Sequence, residues 1–76
     1  MVVYSRRGCH LCEVMLEQLE PMCRGRAQLT VRDVDTRPEW AASYGEKVPV
    51  LCCDNEELCH FELDRSRVES VLAQAG

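Results

Sequence analysis

The chain alternates short apolar runs with longer stretches in which apolar residues recur every three or four positions. The run Met1–Tyr4 predicts a strand that is buried on both faces. From Cys9 to Cys23 the apolar positions follow helical spacing, which predicts an amphipathic helix with glutamates on its other side. Pro21 lacks a backbone donor and is expected to end or kink this helix, with Gly25 following as a stop.

A second strand and a short second helix are predicted next. Residues 28–34 are expected to form the strand, with Val31 among its apolar members. The tetrapeptide that begins at Thr36 has the form of a capping box, whose hydroxyl and carboxylate satisfy free amides at a helix start. The helix is predicted to run through residues 40–44 and to end at Gly45, which would close it as a left-handed cap.

The remaining residues predict two strands and a last helix. Residues 48–53 are expected to form the third strand, with Pro49 at its start because proline cannot donate to a ladder. Residues 58–63 are expected to form the fourth strand after a turn, and Asp64 is expected to cap the last helix. The predicted order is β-α-β-α-β-β-α, which is an α/β fold in a single domain that spans residues 1–76.

Composition narrows the class of protein. The 76 residues are 46% apolar and 29% charged, which is typical of a globular chain, and the formal net charge is −4. A mildly acidic chain without a basic run is not expected to bind nucleic acid, and its apolar runs are too short to span a membrane. The first residues are typical of a strand and not of a signal peptide, so we expect a cytoplasmic protein.

Six cysteines in so short a chain allow two interpretations. One is a secreted scaffold with three disulfides, and the other is a cytoplasmic protein whose thiols are mostly reduced, with one catalytic pair. The regular helix and strand patterns supply enough apolar residues for a core without disulfides, which favours the second interpretation. The cysteines are Cys9, Cys12, Cys23, Cys52, Cys53 and Cys59.

The segment Cys9-His10-Leu11-Cys12 carries the candidate chemistry. Thiol–disulfide exchange needs a thiolate that attacks and a second thiol that resolves the mixed disulfide. At the start of a helix, the free amides and the helix dipole favour the thiolate of Cys9, and the nearby Arg6 and Arg7 add positive charge. Cys12, one turn into the helix, suits the resolving role. His10 either carries a further positive charge or is an inert exposed residue.

The alternative interpretation of this motif is half of a zinc site, completed by Cys52, Cys53, Cys59 and His60. Successive strand residues point to opposite faces, so Cys52 and Cys53 could not both bind one metal. A hairpin loop centred on residues 55–56 would instead place Cys52 across from Cys59, close enough for a disulfide, and Val50 across from Phe61.

The segment Tyr4–Cys12 resembles the active-site entry of glutaredoxins, and more closely that of small glutaredoxin-like proteins with a C-H-L-C motif. The resemblance extends through Asp33-Val34-Asp35, Tyr44-Gly45 and residues 47–51. It implies a thioredoxin fold, with three helices around a four-stranded mixed sheet whose third and fourth strands run antiparallel to the first two. It also implies a cis Val48–Pro49 bond beside the two cysteines, where the backbone of Val48 aligns an extended substrate.

The same resemblance implies a thiol–disulfide oxidoreductase that reduces protein disulfides or glutathione-mixed disulfides. Arg6 matches a residue that binds the glycine carboxylate of glutathione, and Asp64 matches one that receives its amino group. Two positions differ from the family pattern, because Lys47 replaces the usual threonine and Cys59-His60-Phe61 replaces a Gly-Gly turn.

We expect a monomer that holds no cofactor tightly and uses glutathione, if at all, as a co-substrate. The alternatives are a zinc or [2Fe–2S] module and a non-catalytic adaptor with the same fold.

Overall fold

A computed structural model describes residues 1–75 of the chain, and its elements follow the predicted order. Within that range the fold is α/β, with one four-stranded mixed sheet and three α-helices, as predicted. None of these helices has the length and apolar character needed to cross a bilayer. The elements are β1 (Val2–Ser5), α1 (His10–Cys23), β2 (Thr30–Asp33), a 3₁₀ turn (Val34–Thr36), α2 (Pro38–Tyr44), β3 (Val50–Cys53), β4 (Glu56–His60) and α3 (Arg65–Ala75).

The sheet has the strand order β2-β1-β3-β4. β2 lies parallel to β1, β3 lies antiparallel to β1, and β4 lies antiparallel to β3. β4 therefore runs in the same direction as β1 and β2, so the expectation that it opposes them is wrong. The reason is that two antiparallel pairings follow each other: β3 runs opposite to β1, and the tight hairpin makes β4 run opposite to β3.

The two faces of the sheet are covered differently. α1 and α3 cover one face with an aliphatic and sulfur-rich layer, which we call the major layer. α2 covers the other face with an aromatic layer, in which the Tyr4 ring stacks on Tyr44 at 4.0 Å and meets the edge of Trp40 at 5.7 Å. The buried residues of the major layer are Val3, Met15, Leu19, Cys23, Leu51, Leu58, Val68 and Leu72.

The β3–β4 hairpin is tighter than predicted. Its turn consists of Asp54 and Asn55, with φ of 51° and 68°, and these residue types tolerate positive φ. β4 therefore begins at Glu56, two residues before the predicted start, and Cys52 lies opposite Glu57.

A bulge then shifts the β3–β4 register by one residue, so that Leu51 pairs with Cys59 and Val50 with His60. The predicted pairings of Cys52 with Cys59 and of Val50 with Phe61 are therefore wrong. Cys52 belongs to the aromatic layer, whereas Cys59 packs against the major layer. The two sulfurs lie on opposite faces of the sheet.

Two residues in the first half of the chain differ from the prediction. Pro21 lies within α1 on its exposed side, and the helix continues to Cys23 because the missing N–H removes only one bond near the helix end. Val31 is 50% exposed, since β2 is an edge strand that is not covered on this side. The stop at Gly25 is confirmed by its φ of 74°.

The ends of α2 also differ from the prediction. The residue at the helix cap is Arg37, which makes no side-chain capping bond, so the proposed capping box is wrong. The hydroxyl of Thr36 instead donates to the carbonyl of Asp33 at 2.7 Å, within the 3₁₀ turn. Gly45 is right-handed (φ −54°, ψ −33°), and a Cβ there would lie 2.5 Å from the carbonyl of Ala41. Glycine is required at this position by close packing.

Candidate active site

Cys9 occupies the N-cap of α1, between β1 and the helix. Its backbone is extended (φ −93°, ψ 108°), and the preceding Gly8 has a φ of 72°, which turns the chain out of the strand. The Sγ atom of Cys9 accepts a hydrogen bond from the backbone N–H of Cys12 at 3.2 Å. The structure thus places one sulfur directly on the amides of the first helical turn, where negative charge is favoured.

Cys12 differs sharply from Cys9 in its surroundings. Its side chain is 3% exposed, whereas Cys9 is half-buried. Burial, and next the hydrogen bond with the side chain of Cys9, raise the pKa of the Cys12 thiol to about 11. One turn of helix therefore carries an accessible sulfur and a covered, protonated one.

The turn before β3 lies at the same end of the sheet as the two cysteines. Tyr4 of β1 pairs with Val50 of β3 in antiparallel register, so the end of β1 and the start of β3 coincide. The Val48–Pro49 peptide bond is cis, as the sequence resemblance implied, and Pro49 is buried. The N–H of Phe61 donates to the carbonyl of Pro49 at 3.0 Å, which ties the end of β4 to the same place.

Arg6 is already engaged within the chain. Its Nε and Nη2 atoms donate to the two carboxylate oxygens of Asp35 at 3.0 and 3.1 Å, and Nη1 donates to the carbonyl of Gly45 at 3.1 Å. This arrangement joins the loop before Cys9 to the turn after β2 and to the end of α2. The ion pair is partly exposed, so we attribute to it a positioning role more than a large stabilisation.

Asp64 caps α3, as predicted. Its Oδ1 atom accepts a hydrogen bond from the N–H of Arg67 at 3.1 Å, and its carbonyl accepts from Val68. The carboxylate is therefore used at the helix start, three residues after Phe61.

Comparison with known proteins decides the family. A family model described as a glutaredoxin-like domain (DUF836) matches residues 1–73. The chain belongs to this glutaredoxin-like family. It is also similar to proteins named as uncharacterised from Mycobacterium bovis and Mycobacterium tuberculosis, each 30% identical over 78 residues. Those alignments cover 93% of this chain and 79% of each mycobacterial protein.

This glutaredoxin-like protein contains an ion-pair network that the sequence did not indicate. Glu57 of β4 accepts a hydrogen bond from Nζ of Lys47 at 3.0 Å and contacts Nδ1 of His60 at 2.9 Å. Lys47 first, and His60 next, hold the pKa of the Glu57 carboxyl below its usual value. Because Lys47 immediately precedes Val48, the network anchors the turn beside the cysteines. Finding it required the hairpin register, which was predicted incorrectly.

A groove beside the thiol pair was also missed. It has a volume of about 260 Å³ and lies between α1 and the segment that joins β4 to α3. Leu11, which is the third residue of the C-x-x-C segment, and Phe61 both line it and are 43% and 45% exposed. Exposed hydrophobic residues on one surface were the available signal, but only the folded chain brings these two together.

The other cysteines of this glutaredoxin-like domain contribute mainly to packing. Burial raises the pKa of the Cys23, Cys52 and Cys59 thiols, which keeps them protonated at neutral pH. Cys53 packs against the major layer, opposite in orientation to Cys52, as strand alternation predicts. Within residues 1–75, no three His, Cys, Asp or Glu side chains come together as a metal site requires.

Proposed function

We propose that this glutaredoxin-like protein is a thiol–disulfide oxidoreductase in which Cys9 attacks and Cys12 resolves. The observation that carries the proposal is the hydrogen bond from the N–H of Cys12 to the sulfur of Cys9, at the positive end of α1. This bond presents the Cys9 sulfur at the free amides of the first helical turn, ahead of the buried Cys12.

The reaction follows from the two positions. The Cys9 thiolate attacks one sulfur of a substrate disulfide, forms a mixed disulfide, and releases the other substrate sulfur as a thiolate. Cys12 then loses its proton and attacks the sulfur of Cys9, which releases the second substrate thiolate and leaves a Cys9–Cys12 disulfide. Two electrons pass from the protein to the substrate, and an external dithiol or glutathione must reduce the protein again.

The surroundings of Cys12 support its role as the second thiol. Because it is buried and its pKa is raised to about 11, free Cys12 is protonated at neutral pH and does not compete for substrate. The Cys9 sulfur loses its charge when it enters a mixed disulfide. That removes one cause of the raised pKa of Cys12 at the step where Cys12 must ionise.

Substrate alignment is assigned to Val48 and Pro49. They lie at the end of the sheet where α1 begins, and the backbone of Val48 is the group that would pair with an extended substrate. We assign substrate contacts also to Arg6 and Asp64, through the groups that their internal hydrogen bonds leave available. Protein disulfides and glutathione-mixed disulfides are both candidate substrates, and the cytoplasm is the proposed compartment.

The test is to trap the intermediate. The reduced Cys12→Ser variant is mixed with a glutathionylated peptide, quenched with acid and digested for mass spectrometry. We expect a mixed disulfide at Cys9 in this variant, a Cys9–Cys12 disulfide in the natural protein, and neither in Cys9→Ser. The matched control is Cys53→Ser, which alters a half-buried thiol outside the site and should behave as the natural protein. Equal trapping at several cysteines, or none at Cys9, would overturn the proposal.

A further inference from the structure

Two exposed hydrophobic side chains meet beside the thiol pair. Among residues 1–75, only Leu11, Phe61 and Val31 are large hydrophobic residues with highly exposed side chains, and the first two share the groove. Five of the eight residues that line this groove are apolar, so it offers an apolar contact surface within a mixed lining. Leu11 lies between the two cysteines of the motif, so the groove adjoins the start of α1, which Cys9 caps.

The groove has the size of a side-chain pocket. One wall is a helical stripe of α1 and the other is the segment after β4, with Phe61 and Leu63. Its volume of about 260 Å³ is below that of typical small-molecule sites, which measure roughly 300–1,000 Å³. The α1 residues that line it are Leu11, Val14, Met15 and Gln18.

The backbone holds Phe61 in this wall at a conformational cost. Its φ is 63°, in the left-handed region that is unfavourable for a bulky side chain. The hydrogen bond from its N–H to the carbonyl of Pro49 connects that conformation to the turn beside the cysteines. Residues in such unfavourable conformations are concentrated at functional sites. Here the conformation places an exposed aromatic ring in the wall of the groove.

The charges around the groove favour an uncharged occupant. Glu62 and Arg65 lie on its rim with opposite signs, and Gln18 is neutral. The nearby cation Arg6 already makes three hydrogen bonds within the chain, two of them to Asp35. The two rim charges have opposite signs, so the groove carries no net charge that would select the carboxylates of a small charged thiol over an apolar side chain.

We infer that this groove binds an apolar side chain of an extended protein segment that carries the target disulfide. The inference rests on the proposed function. The lining residues of α1 extend about 10 Å along the helix at 1.5 Å per residue, and an extended chain covers about 3.3 Å per residue. The apolar side chain should therefore lie about one to three residues from the reacting cysteine.

The experiment compares three mixed disulfides that share one chromophoric leaving group, 5-thio-2-nitrobenzoate. Two are peptides with either Phe or Ser two residues from the cysteine, and the third is glutathione. For the natural protein we expect kcat/KM at least about tenfold higher for the Phe peptide, the discrimination that a filled apolar pocket provides. The variant Phe61→Asn should reduce this ratio to about one and leave the glutathione rate unchanged. Asn tolerates positive φ, so the variant should fold.

The matched control is Val31→Ser, which removes an exposed apolar residue from the uncovered edge strand. It should preserve the preference for the Phe peptide. Equal rates for the two peptides, or an equal loss on all three substrates in Phe61→Asn, would overturn the inference.

If no substrate is reduced, the proposed function itself is overturned. Whether the groove binds an apolar side chain is then tested by NMR titration of the natural protein with the Phe peptide in which serine replaces the cysteine. Shifts centred on Leu11 and Phe61 would support it, and their absence would overturn it.

Discussion

The helices α1 and α3 both begin with a hydrogen bond from a backbone N–H to the side chain of the N-cap residue, but the accepting group differs. In α3 the carboxylate of Asp64 accepts from the N–H of Arg67 at 3.1 Å, and in α1 the sulfur of Cys9 accepts from the N–H of Cys12 at 3.2 Å. A carboxylate is a preferred capping group, whereas a thiol is a weak acceptor. The position of Cys9 therefore contributes less to helix stability than an aspartate would, and it places a sulfur on the helix amides.

The residues that supply the capped N–H groups differ as well. Arg67 is exposed and forms an ion pair with Glu56, whereas Cys12 is buried against the core. The start of α3 is thus an ordinary structural end. The start of α1 combines a weak cap with a second titratable thiol, and this is the combination that disulfide exchange uses.

The largest effect is expected when the N-cap residue of α1, Cys9, is replaced by aspartate, which is the residue that caps α3. Cys9→Asp should abolish disulfide exchange, because no nucleophile remains, and should raise the free energy of unfolding by about 0.5–1 kcal/mol. Exchange is measured with a peptide disulfide, and stability by urea unfolding of the reduced protein. Cys9→Ala is the control, since it removes both sulfur and cap. A Cys9→Asp variant that is no more stable than Cys9→Ala would contradict the capping role.

An effect of intermediate size on the free energy of unfolding is expected when the pH is raised. The folded state holds the Cys12 proton up to about pH 11, whereas the unfolded chain loses it near 9.0. The folded state binds more protons in that interval, so the free energy of unfolding should fall as pH rises from about 9 to about 11. The decrease due to Cys12 is on the order of 2 kcal/mol.

Urea unfolding of reduced protein at pH 8 and pH 10.5 measures this slope. Cys12→Ala should flatten it more than Cys23→Ala, which removes a buried thiol that has no bond to Cys9. Some slope should remain in both variants, because burial also raises the pKa of Cys52 and Cys59. A slope that Cys12→Ala leaves unchanged would show that Cys12 ionises normally in the folded state.

The smallest effect is expected at α3. Asp64→Ala should lower the free energy of unfolding by about 1 kcal/mol, because it leaves the N–H of Arg67 without its side-chain partner. Asp64→Ser should recover most of this loss. Chemical denaturation measures all three proteins. A loss in Asp64→Ala that is smaller than the loss in Cys9→Ala would reverse the ranking of the two caps.

Local patterns predicted the starts of α1 and α3, although they failed at both ends of α2. Helical spacing located α1 and placed Cys9 at its start, and the same reasoning placed Asp64 at the start of α3. These predictions succeeded because a cap and the amides that it satisfies lie within four residues of each other. The placement of both cysteines of the C-x-x-C motif at the start of α1 was predictable for the same reason.

The features that depend on the β3–β4 register were not predicted. The hairpin prediction failed because Asp54 and Asn55 form a two-residue turn, and one further residue is then absorbed by a bulge. Each change of register alters every pairing beyond it. The contact of Lys47 with Glu57 and the groove of Leu11 and Phe61 depend on that register, so neither could be located from periodicity.

The bulge in the β3–β4 hairpin also determines which sulfurs can meet. Without it, the Asp54–Asn55 turn would pair Cys59 with Val50 and place its side chain on the same face as Cys52. The extra residue, Leu58, turns Cys59 to the other face, so that a complete layer of backbone separates the two thiols. An oxidant that reaches one of them has no route to a cross-link with the other. A one-residue irregularity in a strand thereby prevents a Cys52–Cys59 disulfide, which would otherwise compete with the exchange that we propose for the thiol pair on α1.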